Sequence, residues 1–535
     1  MNLNKKLAVA VSGAVLLMAG QFALADSTTD IVDALVSKGV LTEEEGKLIT
    51  KGHTSKTEKT PVVKEKDGAF KLESANGNNS IQLTGRVHFD ARSINTNSNS
   101  DTPVNNVDKD TTSLADQFEV RRARIGVKGT FAKNYDYEIL TNLVGSSANL
   151  LDVAWINAGL INNEKSKPLQ FRAGVFKQPF NLEEYGTSSN NIDFMERSYI
   201  NQITPAKKAG FMLHGALENG ITYAGSVFQQ NSFGEVDAEN TGKGFAGRAS
   251  MNLSQLMGSK ETVFHLGVAG FDSEYGVTPT TSSSGGTATA ATIVNFRTEG
   301  RGIANGYRAQ IGGVTANSGY SAPAPETASM KNKAFGLELA SAYGPFKVQG
   351  EYTGQDFKAN SATGTQASPG TPNTASLDAK AYYIEAMWML TGEKYADWYK
   401  NGAWGGIKPL REFNAETLTG LGAWEIGLRY DAYDVDNVKF NANGSATNLN
   451  RIQGSNSNTG IACAATGNSA AVSYCPAGGG AKTYTAGIKW QLNPNMRVLA
   501  NYSHTKFDDT FTVADTAIAG VNKEDILMVR TQFNF

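Results

Sequence analysis

The last ten residues, Ile526-Leu527-Met528-Val529-Arg530-Thr531-Gln532-Phe533-Asn534-Phe535, decide the fold of this chain. Every second residue from Leu527 to Phe535 is apolar or threonine, and the residues between them are mostly polar. Outer-membrane barrels close with such a strand, which has one lipid face, one wet face and a terminal aromatic at the lipid interface. An ordinary edge strand of a soluble sheet is the alternative. The segment favours a closed β-barrel.

The N-terminus indicates export. Lys5 and Lys6 precede an apolar stretch over 7–18, and Ala23-Leu24-Ala25 forms a small-x-small cleavage site. We predict a cleaved signal peptide over 1–25, because the apolar stretch is too short to span a bilayer. An N-terminal anchor helix is the alternative.

Charge and cysteine usage exclude several classes of function. The chain has 49 Lys and Arg against 51 Asp and Glu, so nothing in its composition favours binding to nucleic acid. Cys463 and Cys475 are the only cysteines, and in an exported chain we expect them to form a loop disulfide. Two thiols without a nearby histidine do not make a zinc site, and we expect no metal and no other cofactor.

Residues 26–77 differ from the rest of the chain. Apolar residues between Thr29 and Thr50 have helix-like spacing, Gly39 separates two short helices, and Thr42 with Glu45 forms a capping-box pattern. We predict a short periplasmic helical segment followed by a polar linker to about Gly77. A trimer-forming coiled coil is the alternative.

From Ile81 onward, apolar and polar residues alternate with period two, as in half-buried strands. The pattern predicts an all-β domain over 78–535, a sixteen-stranded antiparallel transmembrane β-barrel with both termini in the periplasm. The predicted strands are 81–92, 117–131, 134–145, 150–160, 168–177, 208–216, 220–229, 243–253, 261–272, 333–343, 345–356, 379–392, 422–436, 482–492, 496–508 and 525–535.

The lengths of the connections support the barrel independently. Connections after odd-numbered strands are long, such as 273–332 and 437–481, whereas those after even-numbered strands are tight, such as Ala132-Lys133 and Gly344. Long extracellular loops opposite short periplasmic turns are typical of bacterial barrels. The connection 393–421 is the exception, since it is long and falls on the periplasmic side.

One block of sequence resembles a known family. The stretch Arg172-Ala-Gly-Val-Phe-Lys-Gln-Pro-Phe-Asn-Leu-Glu183, continued by Ile192-Asp-Phe-Met-Glu-Arg-Ser198, resembles the phosphate-selective porin O and P family. A further similarity is Arg121-Arg122-Ala-Arg124-Ile-Gly-Val-Lys128-Gly129. The resemblance implies a trimeric porin that takes small anions and hydrophilic solutes, with its third loop, roughly 178–207, folded into the lumen.

Strand parity assigns basic side chains to the lumen, where fixed guanidinium groups lower the barrier for anions. Parity gives the candidate lining residues Arg86, Arg122, Arg124, Lys128, Arg172 and Arg248, and the constriction segment, where basic and acidic residues are mixed, adds Lys177 and Arg197. The alternative is that these charges are structural and pair with inward-facing acids such as Asp152 and Glu338. The 273–332 loop contributes Arg297, Arg301 and Arg308 but no dense lysine cluster.

Catalysis has little support, and we expect a channel rather than an enzyme. The chain has five histidines and no recognisable nucleophile motif. His88 and Asp90 share a strand face, which favours a lumen-lining pair over two members of a catalytic triad. A general, weakly selective porin and a loop-based outer-membrane adhesin or enzyme are the alternatives. For the porin we expect outer-membrane lipid around the barrel and recognition of Phe535 by the barrel-assembly machinery.

Overall fold

The computed structural model describes most of the chain after its N-terminal region. The described residues are 32, 35–38, 40–49, 60–66, 69–98, 116–144, 150–163, 166–230, 242–277, 291–303, 306–311, 328–361, 364–365, 368–369, 373–441, 450–452, 461–462, 478–513 and 518–535. The predicted signal peptide, Gly39 and the predicted Cys463–Cys475 disulfide lie outside them. Within these residues, no helix has the length and apolar character needed to cross a membrane.

The N-terminal compact unit contains described residues up to 66, together with 70–82 and 130–133. Residues 35–37 and 43–49 are helical. The capping box is confirmed, because the Thr42 hydroxyl accepts from the Glu45 N–H at 3.2 Å and the Thr42 N–H donates to the Glu45 carboxylate at 2.9 Å.

Part of the segment that we predicted to be a linker is a strand hairpin. Strand β1 (Val62–Lys66) is followed by β2 (Ala69–Glu73), and β2 pairs antiparallel with residues 80–82. Charged residues in β1 and β2 obscure the period-two pattern, which explains why the sequence did not indicate them.

The second unit is the barrel, and its sixteen strands are confirmed. They are β3 (Ser80–Ser98), β4 (Gln117–Phe131), β5 (Tyr135–Asn142), β6 (Leu151–Ile161), β7 (Lys167–Lys177), β8 (Lys207–Ala216), β9 (Ile221–Gln229), β10 (Lys243–Asn252), β11 (Thr262–Val277), β14 (Ala328–Tyr343), β15 (Phe346–Ser361), β18 (Asn373–Met389), β21 (Ala423–Asn441), β24 (Gly479–Gln491), β25 (Met496–Val513) and β26 (Ile518–Asn534). Strand β26 pairs antiparallel with β3, which closes the sixteen strands into a barrel.

The closing strand has the two faces that its sequence predicts. Leu527 is 54% exposed on the outer face, whereas Arg530 is fully buried on the inner face. Phe535 continues the pairing beyond β26, since its N–H donates to the Gly85 carbonyl at 3.2 Å and its carbonyl accepts from the Gly85 N–H at 2.9 Å. A Cβ on Gly85 would overlap the Phe535 ring, so this position requires glycine.

The lipid-facing surface carries aromatic pairs near the strand ends, as an interfacial girdle does. The rings of Trp424 and Trp490 stack with centroids 5.1 Å apart, and those of Phe346 and Trp388 are 5.7 Å apart.

Several strands continue beyond the predicted ends on the long-loop side. Both faces are polar there, so the apolar alternation fades before the strand ends.

The described parts of the connections contain three shorter sheets and four short helices. The strands are β12 (Ala291–Phe296), β13 (Tyr307–Ile311), β16 (Gly364–Thr365), β17 (Ser368–Pro369), β19 (Tyr399–Lys400), β20 (Ala403–Trp404), β22 (Asn450–Ile452) and β23 (Ile461–Ala462). The helices are a π-helix at Asn181–Gly186, 3-10 helices at Tyr199–Gln202 and Tyr395–Trp398, and an α-helix at Leu253–Leu256. Strands β12, β13, β22 and β23 form one sheet, which joins the 273–332 and 437–481 loops.

Within the part of the chain that the structure describes, at least three connections contribute side chains to the barrel interior. The third loop, 178–206, does so as the resemblance implies. Part of the 273–332 loop does so as well, because Phe296 stacks on the inward-facing Tyr433 with centroids 4.2 Å apart. From the periplasmic side, Trp404 of the long turn donates its indole N–H to the inward-facing Gln349 at 2.6 Å. The sequence indicated only the first of these.

Candidate ion pathway

The third loop is fastened to one half of the barrel wall. Glu351 on β15 accepts from the backbone N–H groups of Leu182 and Glu183 at 2.7 and 2.8 Å. Asp431 on β21 accepts from the Tyr199 N–H at 2.8 Å, and Arg429 on the same strand donates to the Glu196 carbonyl at 2.9 Å. The buried acceptors satisfy loop donors that would otherwise lack partners, so the loop has a defined position.

Ion pairs neutralise most inward charges in that half of the barrel. Arg248 makes two hydrogen bonds to Glu338, at 2.7 and 2.8 Å, and Nε2 of His265 lies 2.9 Å from the same carboxylate. Arg530 donates to Asp90 at 2.6 and 2.7 Å. For these residues the structural alternative describes the geometry better, because each cation is already paired with a carboxylate.

Glu196 of the third loop is the centre of one such network. Arg121 binds its carboxylate in a fork at 2.8 and 3.1 Å, Arg530 approaches at 2.9 Å and Arg92 at 3.3 Å. Burial alone would raise the pKa of Glu196, but the charges of Arg121 and Arg530 hold it well below the ordinary value of 4.5. This loop carboxylate is therefore ionised at neutral pH.

Open space remains on the other side, along strands β3 to β9. An outer cavity of about 570 Å³ lies towards the long loops and includes residues 297–301 in its wall. An inner cavity of about 610 Å³ includes residues 401–403 of the periplasmic turn. We assign the long-loop end to the cell exterior on the barrel layout.

The two cavities share five lining residues, which we call the shared ring: Arg124, Asp152, Lys177, Ser189 and Lys207. Arg124 lies 3.0 Å from Asp152, and Lys207 forms a second ion pair with the same carboxylate. Three basic residues and one acid therefore line the junction of the cavities, and two of the basic residues pair with that acid. A solute that moves from one cavity to the other passes this cationic group.

Next to the shared ring, the third loop adds a compensated pair. Arg197 lies 3.0 Å from the Glu184 carboxylate and donates to the Thr187 carbonyl at 2.7 Å. Burial opposes ionisation of Glu184, yet Lys177 and Arg197 lower its pKa overall. The loop thus adds the cation Arg197 to those that the strands supply, and it also adds Glu184, the acid that holds the Arg197 side chain in place.

Basic side chains outnumber acidic ones in both cavities. The outer cavity has nine basic residues, Arg121, Arg122, Arg124, Lys177, Arg197, Lys207, Lys208, Arg297 and Arg301, against Asp152, Glu184, Glu196 and Glu299. The inner cavity has seven, Arg86, Arg124, Lys167, Arg172, Lys177, Lys207 and Arg248, against Glu138 and Asp152. Both walls are therefore electropositive.

Seven of the eight predicted lining residues reach a cavity. Arg122 and Arg197 line the outer one, Arg86, Arg172 and Arg248 line the inner one, and Arg124 and Lys177 line both. Lys128 is exposed and lines neither cavity, although it has the parity of Arg124 on the same strand. Lys128 lies three residues from the end of β4.

Strand parity did not assign Arg121 to the lumen. Arg121 contacts Glu196 of the loop, while its neighbour Arg122 lies 3.3 Å from the inward-facing His88. Two successive side chains thus point inward, which strict alternation does not allow. The adjacent arginines were visible in the sequence, but no turn or glycine signal marked the irregularity.

Comparisons with known proteins agree with this architecture. Residues 81–535 match the model of the family "Phosphate-selective porin O and P". The chain is 25% identical over 409 residues to Porin O of Pseudomonas aeruginosa, which covers 74% of this chain and 78% of the relative. Among solved structures, an anion-selective porin from Comamonas acidovorans is 11% identical with a TM-score of 0.43, covering 85% of this chain and all (100%) of that one. OmpT, an outer membrane protein of Vibrio cholerae, is 10% identical with a TM-score of 0.42, covering 85% and 98%. The match over the whole barrel shows that the chain belongs to the phosphate-selective porin O and P family and is a porin of the bacterial outer membrane.

Proposed function

We propose that this porin conducts small anions, inorganic phosphate among them, by passive diffusion past the shared ring. The observation that carries the proposal is the excess of basic side chains at the only junction between the two cavities found in the described residues. Family membership and the relationship to Porin O support the same class of solute.

The position of the charges explains why the ring would dominate selectivity. At an effective dielectric constant near 20, two unit charges about 4 Å apart interact by about 4 kcal/mol, against about 1 kcal/mol in bulk water. A narrow, protein-walled passage therefore amplifies the effect of each fixed charge. Guanidinium groups also match phosphate oxygens through paired donors.

An anion that crosses the channel must be attracted into the passage and must also be released from it. In the shared ring, Asp152 already pairs with Arg124 and Lys207, so an entering anion competes with a fixed carboxylate for these donors. That competition weakens binding at the shared ring and allows release into the second cavity. No bond is formed or broken, and no energy coupling is needed.

The test is the reversal potential of single channels in a planar bilayer under a KCl gradient. The double variant Arg124→Gln/Lys207→Gln leaves Asp152 without its two partners, so we expect the potential to move towards the cation side. Lys128→Gln is the matched control, because it removes an exposed charge on the strand that carries Arg124. If the double variant and the control behave alike, the ring does not determine selectivity.

A second measurement concerns phosphate itself. Micromolar-to-millimolar phosphate added to KCl should reduce the wild-type current, and the double variant should need more phosphate for the same reduction. An anion-selective channel that phosphate does not affect would limit the proposal to general anion diffusion.

We infer a homotrimer and recognition of Phe535 by the assembly machinery, as the family resemblance implies. Electrophoresis of unheated protein in mild detergent would give the oligomeric state, and truncation of Phe535 would show whether outer-membrane insertion depends on it.

A further inference from the structure

The two cavities differ in chemistry, and the difference centres on one cation–aromatic pair. In the inner cavity, the Arg172 guanidinium lies over the Trp155 ring, 4.1 Å from its centroid. The direct cross-strand partner of Trp155 is Gly174 on β7, which carries no side chain. The pair therefore stands on the lumen wall between β6 and β7.

Arg172 is held by this stacking rather than by a carboxylate. Its Nε is buried without a hydrogen-bond partner, and no ion pair within 4.0 Å involves its guanidinium in the described part of the chain. Arg248 in the same cavity is the contrast, because Glu338 occupies its donors. A guanidinium that is positioned by an aromatic ring keeps its donors available for a ligand anion.

Aromatic side chains distinguish the wall of the inner cavity from that of the outer one. Trp155, Phe176, Tyr185 and Tyr223 line the inner cavity, whereas no Phe, Tyr or Trp is among the described residues that line the outer cavity. Phe176 is buried behind the wall, and Trp155 and Tyr185 remain partly exposed. The inner cavity thus presents cations and aromatic rings to the same volume.

We propose that the inner cavity is a subsite for organic anions with a planar ring, in which the anionic group meets Arg172 and Arg86 and the ring lies against Trp155 and Tyr185. Arg86 contributes because its Nε is likewise buried without a hydrogen-bond partner, while its Nη1 donates to the Ser189 hydroxyl. Aryl phosphates and aryl carboxylates have the required chemistry. The inference deepens the proposed function and rests on it, since the subsite lies on the same pathway.

The test compares two phosphate monoesters in the same bilayer experiment. Phenyl phosphate and methyl phosphate carry the same charge but only the first has a ring. For the wild type we expect phenyl phosphate to block the current at about tenfold lower concentration than methyl phosphate. This ratio corresponds to the free energy of a favourable contact between two aromatic rings. Equal potency of the two esters in an anion-selective channel overturns the inference and leaves the proposed function intact.

Variants separate the aromatic contribution from charge and from fold. Trp155→Leu should remove the preference for phenyl phosphate while methyl phosphate keeps its potency, and Trp155→Phe should restore part of it. Trp388→Leu is the control, because Trp388 faces the lipid and stacks on Phe346. A preference that survives in Trp155→Leu overturns the inference.

Arg172→Lys tests the cation directly. It keeps the charge but loses the planar fork, so we expect the block by both esters to weaken without a change in the sign of the KCl reversal potential. Undiminished block by both esters would exclude Arg172 from the subsite. A reversal potential on the cation side in the wild type overturns the proposed function instead, whatever the esters do.

Discussion

At the residue scale, lumen-facing arginines differ mainly in whether a carboxylate already occupies their donors. Arg248 and Arg530 are paired, while Arg172 is not. Sequence parity identified all three as inward, but it could not distinguish them, because the partners come from strands and loops far away in the chain. The same limit explains Arg121, whose inward direction depends on a local interruption of the alternation.

The three arginines around Glu196 predict how the channel responds to acid. The pKa of Glu196 is held below its ordinary value of 4.5. Its ion pairs therefore stabilise the folded channel fully at pH values above 4.5, and they are lost only as the pH falls through the lowered pKa. Voltage-induced closure should therefore be unchanged between about pH 7 and about pH 5 and increase in more acidic solution.

Glu196→Gln provides the comparison for the acid response. It should show frequent closures already at neutral pH, because three cations lose a common anion. Closures that begin near neutral pH in the wild type would contradict the role of Glu196.

At the element scale, the strands followed from the sequence because each has one lipid-facing and one lumen-facing side. The predicted and observed limits agree closely for strands such as β4, Gln117–Phe131. The sheet of β12, β13, β22 and β23 was not predicted, because loop strands that are covered on irregular faces lack a period-two pattern. Entry of the third loop was inferred only through resemblance, and its anchoring acids could not be identified among many inward carboxylates.

Glu351 is the anchoring acid with the clearest consequence. Glu351→Ala leaves two buried loop N–H groups without an acceptor, each of which costs about 1–3 kcal/mol. We expect a noisier current and weaker anion selectivity in single-channel recordings. Glu261→Ala is the control, since Glu261 pairs with Lys394 at the surface at 3.0 Å, where such pairs contribute little.

The closing strand gives a prediction about stability. Gly85→Ala places a methyl group where the Phe535 ring lies, so the thermal unfolding temperature should fall. Gly225→Ala is the matched control, because a Cβ there has no neighbour within 4 Å. Heat-dependent mobility in electrophoresis would measure both. Equal stability of the two variants would show that the ring can move aside without cost.

At the scale of the whole molecule, the described segment 291–303 of the 273–332 loop belongs to the barrel interior. Phe296 packs between Tyr199 of the third loop and the inward-facing Tyr433, and the Ile303 N–H donates to Glu524 on β26 at 2.7 Å. The segment therefore occupies space inside the outer end of the barrel.

Deleting residues 291–311 should raise single-channel conductance, because it removes material from the lumen. The milder double variant Arg297→Gln/Arg301→Gln keeps the loop and should reduce anion selectivity with little change in conductance. Unchanged conductance in a folded deletion variant would show that this segment lies outside the passage when the protein is in a membrane.

The Glu196 network also links two events in assembly. Arg92 lies on β3 and Arg530 lies on β26, the two strands whose pairing completes the cylinder, and one carboxylate from the middle of the chain contacts both. Docking of the third loop and sealing of this seam must therefore favour each other thermodynamically. A substitution at Glu196 would then slow the pairing of β26 with β3, the last step of barrel maturation. Glu196 has this effect although it lies more than 300 residues from Arg530 on β26.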